Sequence, residues 1–143
     1  GISFMAPTIS GVSVYGSANA EGEENGMGVN YKNGPVHVMY QVGQDGASDE
    51  TAAAANFTMA GVTFGVGAAT TDTNGTKEKF NSFGVKYTMG DLTLVATNQK
   101  QVGNSAYSNV GAKYAVAPGL AVLVENGSQG GNNATYASVT VSF

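Results

Sequence analysis

The chain has 143 residues, a formal net charge of −4 at pH 7, six lysines, and neither arginine nor cysteine. So little positive charge argues against nucleic acid as a partner, and the absence of cysteine excludes a scaffold held together by disulfides. No apolar run is long enough for a transmembrane helix.

Apolar and polar residues alternate along nearly the whole chain, which is the period of a β-strand. Glycine, proline and asparagine interrupt the alternation, and no helical period is present. The pattern predicts an all-β protein, an antiparallel meander of about eleven strands. The predicted strands are residues 1–6, 11–20, 26–32, 36–44, 51–58, 62–71, 80–88, 92–100, 107–116, 120–126 and 134–143.

A four-residue unit recurs among these strands, made of a small, an apolar, a polar and an aromatic or large apolar residue. Its clearest copies are Gly28-Val29-Asn30-Tyr31, Gly84-Val85-Lys86-Tyr87 and Gly111-Ala112-Lys113-Tyr114, and looser copies begin at positions 1, 54 and 138. Spacings of 26 to 30 residues between the starts indicate a repeated supersecondary unit. Because a second alternating strand follows each copy, the predicted unit is a hairpin.

The predicted connections alternate between short turns and long loops. The short turns are residues 7–10, 33–35, 59–61, 90–91 and 117–119, and the long loops are residues 21–25, 45–50, 72–79, 101–106 and 128–133. Tight turns at one end and longer loops at the other are typical of a transmembrane β-barrel, with the long loops outside. Most of the acidic residues fall in the predicted long loops, away from a lipid-facing band.

The alternation also separates an apolar face from a polar face, as expected for lipid on the outside and water inside. The polar face supplies the candidate pore-lining residues, which are Lys32, His37, Gln41, Lys86, Asn109, Lys113 and Glu125. Aromatic or large side chains in the fourth place of the unit are predicted to stand at one level before the short turns, as a membrane-interface girdle. These are Phe4, Tyr31, Phe57, Tyr87 and Tyr114.

Two other architectures fit alternating strands. A soluble β-sandwich would use the apolar face as its core, and a β-solenoid or adhesin array would stack the repeats. The shared level of the aromatic residues and the alternation of turn lengths favour a membrane barrel over both.

The remaining polar residues give weak signals. His37 is interpreted as a wall residue rather than a metal ligand, and residues 72–78 as a solvated loop, since they lack the ligand spacing of a calcium-binding EF-hand. Lys32, Lys86 and Lys113 either add positive potential to one wall or only keep their strands hydrated. With one histidine and Glu125 as the one carboxylate inside a predicted strand, no catalytic set is present. We expect no enzymatic activity, metal or cofactor.

The hairpin repeat and two further segments resemble one known family. Residues 2–12 are similar to a strand, Ser-Pro-x-x-x-Gly, strand step of that family, with Ala6 in place of the serine. The chain ends in Val139-Thr140-Val141-Ser142-Phe143, an alternating strand with a terminal aromatic residue. Together these features resemble the C-terminal half of a Gram-negative general porin of the alphaproteobacterial, Rhodobacter-like type.

The resemblance implies that residues 1–143 are the C-terminal portion of a single 16-stranded porin barrel domain, with about five N-terminal strands and the constriction loop outside this sequence. It also implies a homotrimer in the bacterial outer membrane, surrounded by lipid and lipopolysaccharide, through which small hydrophilic solutes and ions diffuse passively. Val139, Val141 and Phe143 would form the barrel-assembly signal. The alternative is a structural or adhesive surface β-protein, or a phage receptor, without a transport role.

Overall fold

The computed structural model of the chain describes residues 1–19 and 24–142. Eleven β-strands form one sheet in chain order, and each strand is antiparallel to the next. The strands are β1 (Ile2–Met5), β2 (Val12–Ala18), β3 (Glu24–Asn33), β4 (Val36–Asp45), β5 (Ser48–Met59), β6 (Val62–Thr73), β7 (Thr76–Met89), β8 (Leu92–Gln101), β9 (Tyr107–Ala117), β10 (Leu120–Gln129) and β11 (Asn132–Val141). The predicted all-β meander of eleven strands is confirmed.

Two-residue turns connect most of the strands, and their backbone angles explain why. Asn74 and Gly75 have φ values of 53° and 83°, and Ala60 and Gly61 have values of 50° and 79°. Two consecutive residues with positive φ are typical of a type I′ turn, whose twist matches that of the strands it joins. The chain therefore reverses direction within two residues at these turns, without a longer loop.

The predicted difference in loop length between the two ends of the sheet is wrong. Three of the predicted long loops are two-residue turns, at 46–47, 74–75 and 130–131, and a longer connection spans 102–106. The polar and acidic residues that suggested loops continue the strand pairing, because glycines with positive φ at these turns close the hairpins tightly. Most of the predicted loop 21–25 lies outside the described residues.

The strands are staggered relative to one another. Tyr31 lies opposite Val38, whereas Phe57 lies opposite Val36, two residues nearer the turn. Tyr31 and Phe57 occupy equivalent positions in successive hairpins. The pairing register therefore shifts by two residues from one hairpin to the next, or by one residue per strand. In a closed barrel a stagger of one residue per strand corresponds to a strand tilt of about 36°.

The described residues form a single-layered sheet, and no hydrophobic core is present among them. Among the described residues no hydrophobic side chain is buried, and Phe64, Val66 and Phe83 on the apolar face are 56%, 60% and 61% exposed. Residues of the polar face are mostly half-buried in the central strands, which indicates that the sheet curves toward that face. We call the polar face the concave wall and the apolar face the convex face. No helix in the described part of the chain is long and apolar enough to cross a membrane.

Candidate functional site

The strand register shows which side chains share the concave wall, because directly opposed residues point to the same face. Lys32 lies opposite His37, which lies opposite Asn56 on the next strand. Lys86 is opposite Thr63, and Lys113 is opposite Thr93. The three lysines and His37 therefore line the concave wall at the end of the sheet that carries the turns 34–35, 60–61, 90–91 and 118–119. We keep the name short turns for these connections and call this end of the wall the basic end.

Gln41 lies farther from the turns on the same wall. Tyr15 donates a hydrogen bond from its hydroxyl to Oε1 of Gln41 over 3.1 Å, across the intervening strand. Gly28 lies between them, directly opposite both residues, and the Tyr15 ring covers it. The missing side chain of Gly28 thus makes room for a polar contact that spans three strands.

Asn109 and Glu125 occupy neighbouring strands of the wall. The Nδ2 group of Asn109 donates to Oε1 of Glu125 over 3.5 Å, and Asn109 Oδ1 is buried without a hydrogen-bond partner. The two side chains therefore form a polar contact between β9 and β10 on the concave wall, and Asn109 Oδ1 has the capacity for one further hydrogen bond.

Glycine is concentrated on the concave wall, as the alternation of the sequence indicated for the polar face. Of the nine glycines inside the strands, eight face this wall and Gly16 faces the other side. The eight are Gly26, Gly28, Gly43, Gly65, Gly67, Gly84, Gly111 and Gly127. On the inside of a curved sheet side chains converge, so small residues relieve crowding. The number of strands that contribute a glycine to this wall becomes clear only from the register of the whole sheet.

Acidic residues mark the far end of the concave wall. Glu24 lies opposite Asp45, and Glu50 and Glu78 flank Thr71 in one cross-strand row. Since these carboxylates belong to strands, the prediction that Glu125 is the one strand carboxylate is wrong. We call this group the acidic end.

The charged side chains of the convex face at that same end form a separate set. Lys77, Lys79 and Lys100 lie there with Asp49 and Asp72. Lys77 Nζ is 3.5 Å from Asp72 Oδ2. Asp72 and Glu78 point to opposite faces of the sheet, so they do not converge on a common cation.

The aromatic residues predicted as a girdle lie on the convex face. Tyr31, Phe57 and Tyr87 each stand two residues before the end of their strands, and Tyr114 stands three before the end of β9. Phe4 departs from this level, because it pairs with Gly16, four residues beyond the start of β2. The cause is the connection between β1 and β2, which takes six residues rather than two.

The residues predicted as an assembly signal lie in and after the last strand. Val139 and Val141 are on the convex face, opposite Val122 and Leu120. Phe143 lies outside the described residues. The proposed role of these residues as a signal stays a prediction.

Metal binding has no support in the geometry of the wall. Within residues 1–19 and 24–142 no three His, Cys, Asp or Glu side chains come together in a way that could hold a metal ion. His37 has Lys32 and Asn56 as its cross-strand neighbours, neither of which is a usual partner in a metal site.

The chain is similar to known proteins in its fold but not in its sequence. No family model and no curated protein matches the chain. Among solved structures, a triple mutant of Rhodobacter blastica porin shares 14% identity at a TM-score of 0.52, covering 94% of this chain and 73% of that one. A double mutant of the same porin gives 14% identity and a TM-score of 0.51 with the same coverage. The fold of this chain is porin-like.

A third similar structure is described by the words "asymmetric conductivity of engineered proteins", at 16% identity and a TM-score of 0.50 over 92% of this chain and 73% of that one. At these identities the likeness concerns the fold. The chain spans 73% of the length of the two Rhodobacter blastica porin chains.

Proposed function

We propose that this chain forms the wall of a water-filled outer-membrane channel through which small hydrophilic solutes and ions diffuse passively. The observation that carries the proposal is the single-layer sheet, which leaves an apolar convex face uncovered and backs it with a polar, glycine-rich wall. A soluble protein would bury that apolar face against a second layer. The proposal involves no catalytic step and no cofactor.

Lipid is the partner that suits the convex face. Aliphatic and aromatic side chains cover it from the short turns to the middle of the strands, and charged residues appear only toward the far end. A charge at the bilayer midplane costs about 2–4 kcal/mol, so this distribution fits a membrane-spanning band with a polar rim. We propose lipid and lipopolysaccharide as its surroundings, with the far end outside the cell.

The two outer edges of the sheet bear on how the proposed barrel closes. In the described part of the chain β1 pairs with β2 alone and β11 pairs with β10 alone. Open backbone edges are not tolerated in hydrocarbon, because each unpaired N–H or C=O group there costs several kcal/mol. We propose closure to a 16-stranded barrel, the size class that leaves an aqueous channel, assembled as a homotrimer.

Vesicle swelling tests the proposal. The full-length protein is refolded in detergent and reconstituted into vesicles loaded with dextran, which are then diluted into isosmotic sugars of increasing size. A diffusion channel gives swelling that slows as the sugar becomes larger. A protein that stays soluble without detergent, or vesicles that swell in no sugar, would instead indicate a structural or adhesive surface protein.

Single cysteines provide a matched control, since the chain has none of its own. Thr97 faces the concave wall and Val66 faces the convex side at a similar distance from the short turns. A bulky water-soluble thiol reagent should react with Thr97→Cys and slow swelling, and should leave Val66→Cys unmodified. Reaction and slowing at both positions would contradict the assignment of the two faces.

A further inference from the structure

Three strands carry an acidic residue at one end of the concave wall and a basic residue at the other. Glu24 and Lys32 lie on β3, His37 and Asp45 on β4, and Glu78 and Lys86 on β7. In each strand the two residues are eight positions apart, so both face the concave wall. Eight residues span about 26 Å along a strand, or about 21 Å along the barrel axis at a tilt of about 36°.

The other charges of the wall follow the same division. Lys113 belongs to the basic end and Glu50 to the acidic end, and Glu125 is the one charge in the described strands between them. Glycine, alanine, serine, threonine, asparagine and glutamine make up most of the wall in the middle.

In the described strands, no lysine lies beside the residues of the acidic end on the concave wall. The three lysines at that end of the sheet, Lys77, Lys79 and Lys100, are on the convex face. The one ion pair in the described residues, Lys77 with Asp72, is also convex. The fields of the two ends of the wall therefore extend into the space that the concave face encloses.

We infer that the concave wall is bipolar and that the channel conducts asymmetrically, an inference that rests on the proposed function. Cations concentrate at the acidic end and anions at the basic end. A voltage that drives cations in through the acidic end also drives anions in through the basic end, so the pore fills with both carriers. The opposite voltage draws both carriers out of the pore. The current is larger when the compartment at the acidic end is positive.

Single-channel recording of the full-length protein in a planar bilayer measures this directly. At about 0.1 M KCl, where the Debye length is about 10 Å, we expect the currents at opposite voltages to differ by about two-fold. At about 1 M KCl the Debye length falls to about 3 Å and the ratio approaches one. Ser105→Cys, in the connection at the acidic end, reports the orientation of the channel through a bulky thiol reagent added to one chamber.

Charge-neutralising variants locate the cause. Replacing Lys32, Lys86 and Lys113 together by glutamine removes all three lysines of the basic end and should bring the current ratio at low salt close to one. A second variant, with Glu24→Gln, Asp45→Asn, Glu50→Gln and Glu78→Gln, removes the acidic end and should do the same.

The matched control is glutamine at Lys77, Lys79 and Lys100, which changes the same number of lysines on the convex face. It should leave the current ratio unchanged. Equal effects of the concave and convex lysine triples would overturn the inference, and so would a conducting channel with symmetric currents at low salt. A protein that inserts but conducts no ions would instead overturn the proposed function, and the inference with it.

Discussion

Glycines on the concave wall provide space for the side chains of their neighbours. A Cβ atom built on Gly28 would meet the Tyr15 ring closer than real Cβ contacts allow, whereas one built on Gly26 would have its nearest atom at 3.5 Å. Both glycines lie on β3 and face the same wall. Comparing alanine at Gly28 with alanine at Gly26 therefore distinguishes the clash with Tyr15 from the general effect of adding a methyl group to a strand.

We predict that Gly28→Ala displaces the Tyr15 ring and breaks its hydrogen bond to Gln41, because the ring has to move off the strand. The free energy of unfolding should fall by about 1–3 kcal/mol, the usual cost of overpacking. Urea titration of the refolded protein in lipid vesicles measures the change.

Gly26→Ala is the control and should be nearly neutral or slightly stabilising, because alanine restricts the unfolded chain more than glycine does. Replacing Tyr15 by serine together with Gly28→Ala should remove the clash. If Gly26→Ala and Gly28→Ala destabilise equally, the ring contact is not the cause.

Val66 tests the environment of the convex face at the scale of one side chain. Val66→Lys should make folding into vesicles less favourable by about 2–4 kcal/mol, because it places a charge in the hydrocarbon. Thr97→Lys at similar depth on the concave wall should cost little, since its ammonium group meets water. Equal costs at the two positions would show that the faces do not differ in solvent.

At the scale of elements, strand alternation predicted all eleven strands and both faces. It also assigned Lys32, His37, Gln41, Lys86, Asn109, Lys113 and Glu125 to one side. The strands and their faces could be predicted because the two-residue period of a strand is visible in a few consecutive residues. Loop lengths failed because charged residues were interpreted as loop signals, while the turn glycines decide where a hairpin closes. The Tyr15 to Gln41 bond depends on the register of three strands, which no single strand reveals.

The turn between β6 and β7 shows how strongly one glycine determines a hairpin. Gly75 has a φ of 83°, and a Cβ added there would have nothing within 4 Å. Any penalty for substitution therefore comes from the backbone conformation alone. A left-handed conformation costs an ordinary residue about 1–2 kcal/mol, and asparagine tolerates it better than alanine.

We predict that stability decreases in the order Gly75, Gly75→Asn, Gly75→Ala and Gly75→Val. The loss at alanine should be about 1–2 kcal/mol, and the β-branched valine should lose more. Thermal unfolding in detergent, monitored by circular dichroism at the wavelength of β-structure, gives the order. Identical midpoints for asparagine and valine would contradict a positive φ at this position.

At the scale of the whole molecule, a single curved layer is stable only if its surroundings satisfy both faces and both edges. In the proposed channel lipid would contact the convex face and water the concave wall, but neither solvent satisfies a strand edge within the membrane. In the proposed 16-stranded barrel, further strands would pair with the outer edges of β1 and β11. Direct closure of β1 onto β11 is the competing arrangement.

Disulfide trapping distinguishes these two arrangements in the full-length protein. Met5 on β1 and Ser138 on β11 both face the concave wall, and their partners Tyr15 and Leu123 each lie three residues beyond the start of their strands. A disulfide requires Cα atoms no more than about 7 Å apart, so Met5→Cys with Ser138→Cys should remain reduced under mild oxidation if other strands separate β1 from β11. Thr58→Cys with Thr63→Cys is the positive control, since the two threonine hydroxyls lie 3.0 Å apart on paired strands. Efficient trapping of the first pair within one chain would show an eleven-stranded barrel, whose narrower interior would remove the main reason for proposing a general diffusion channel.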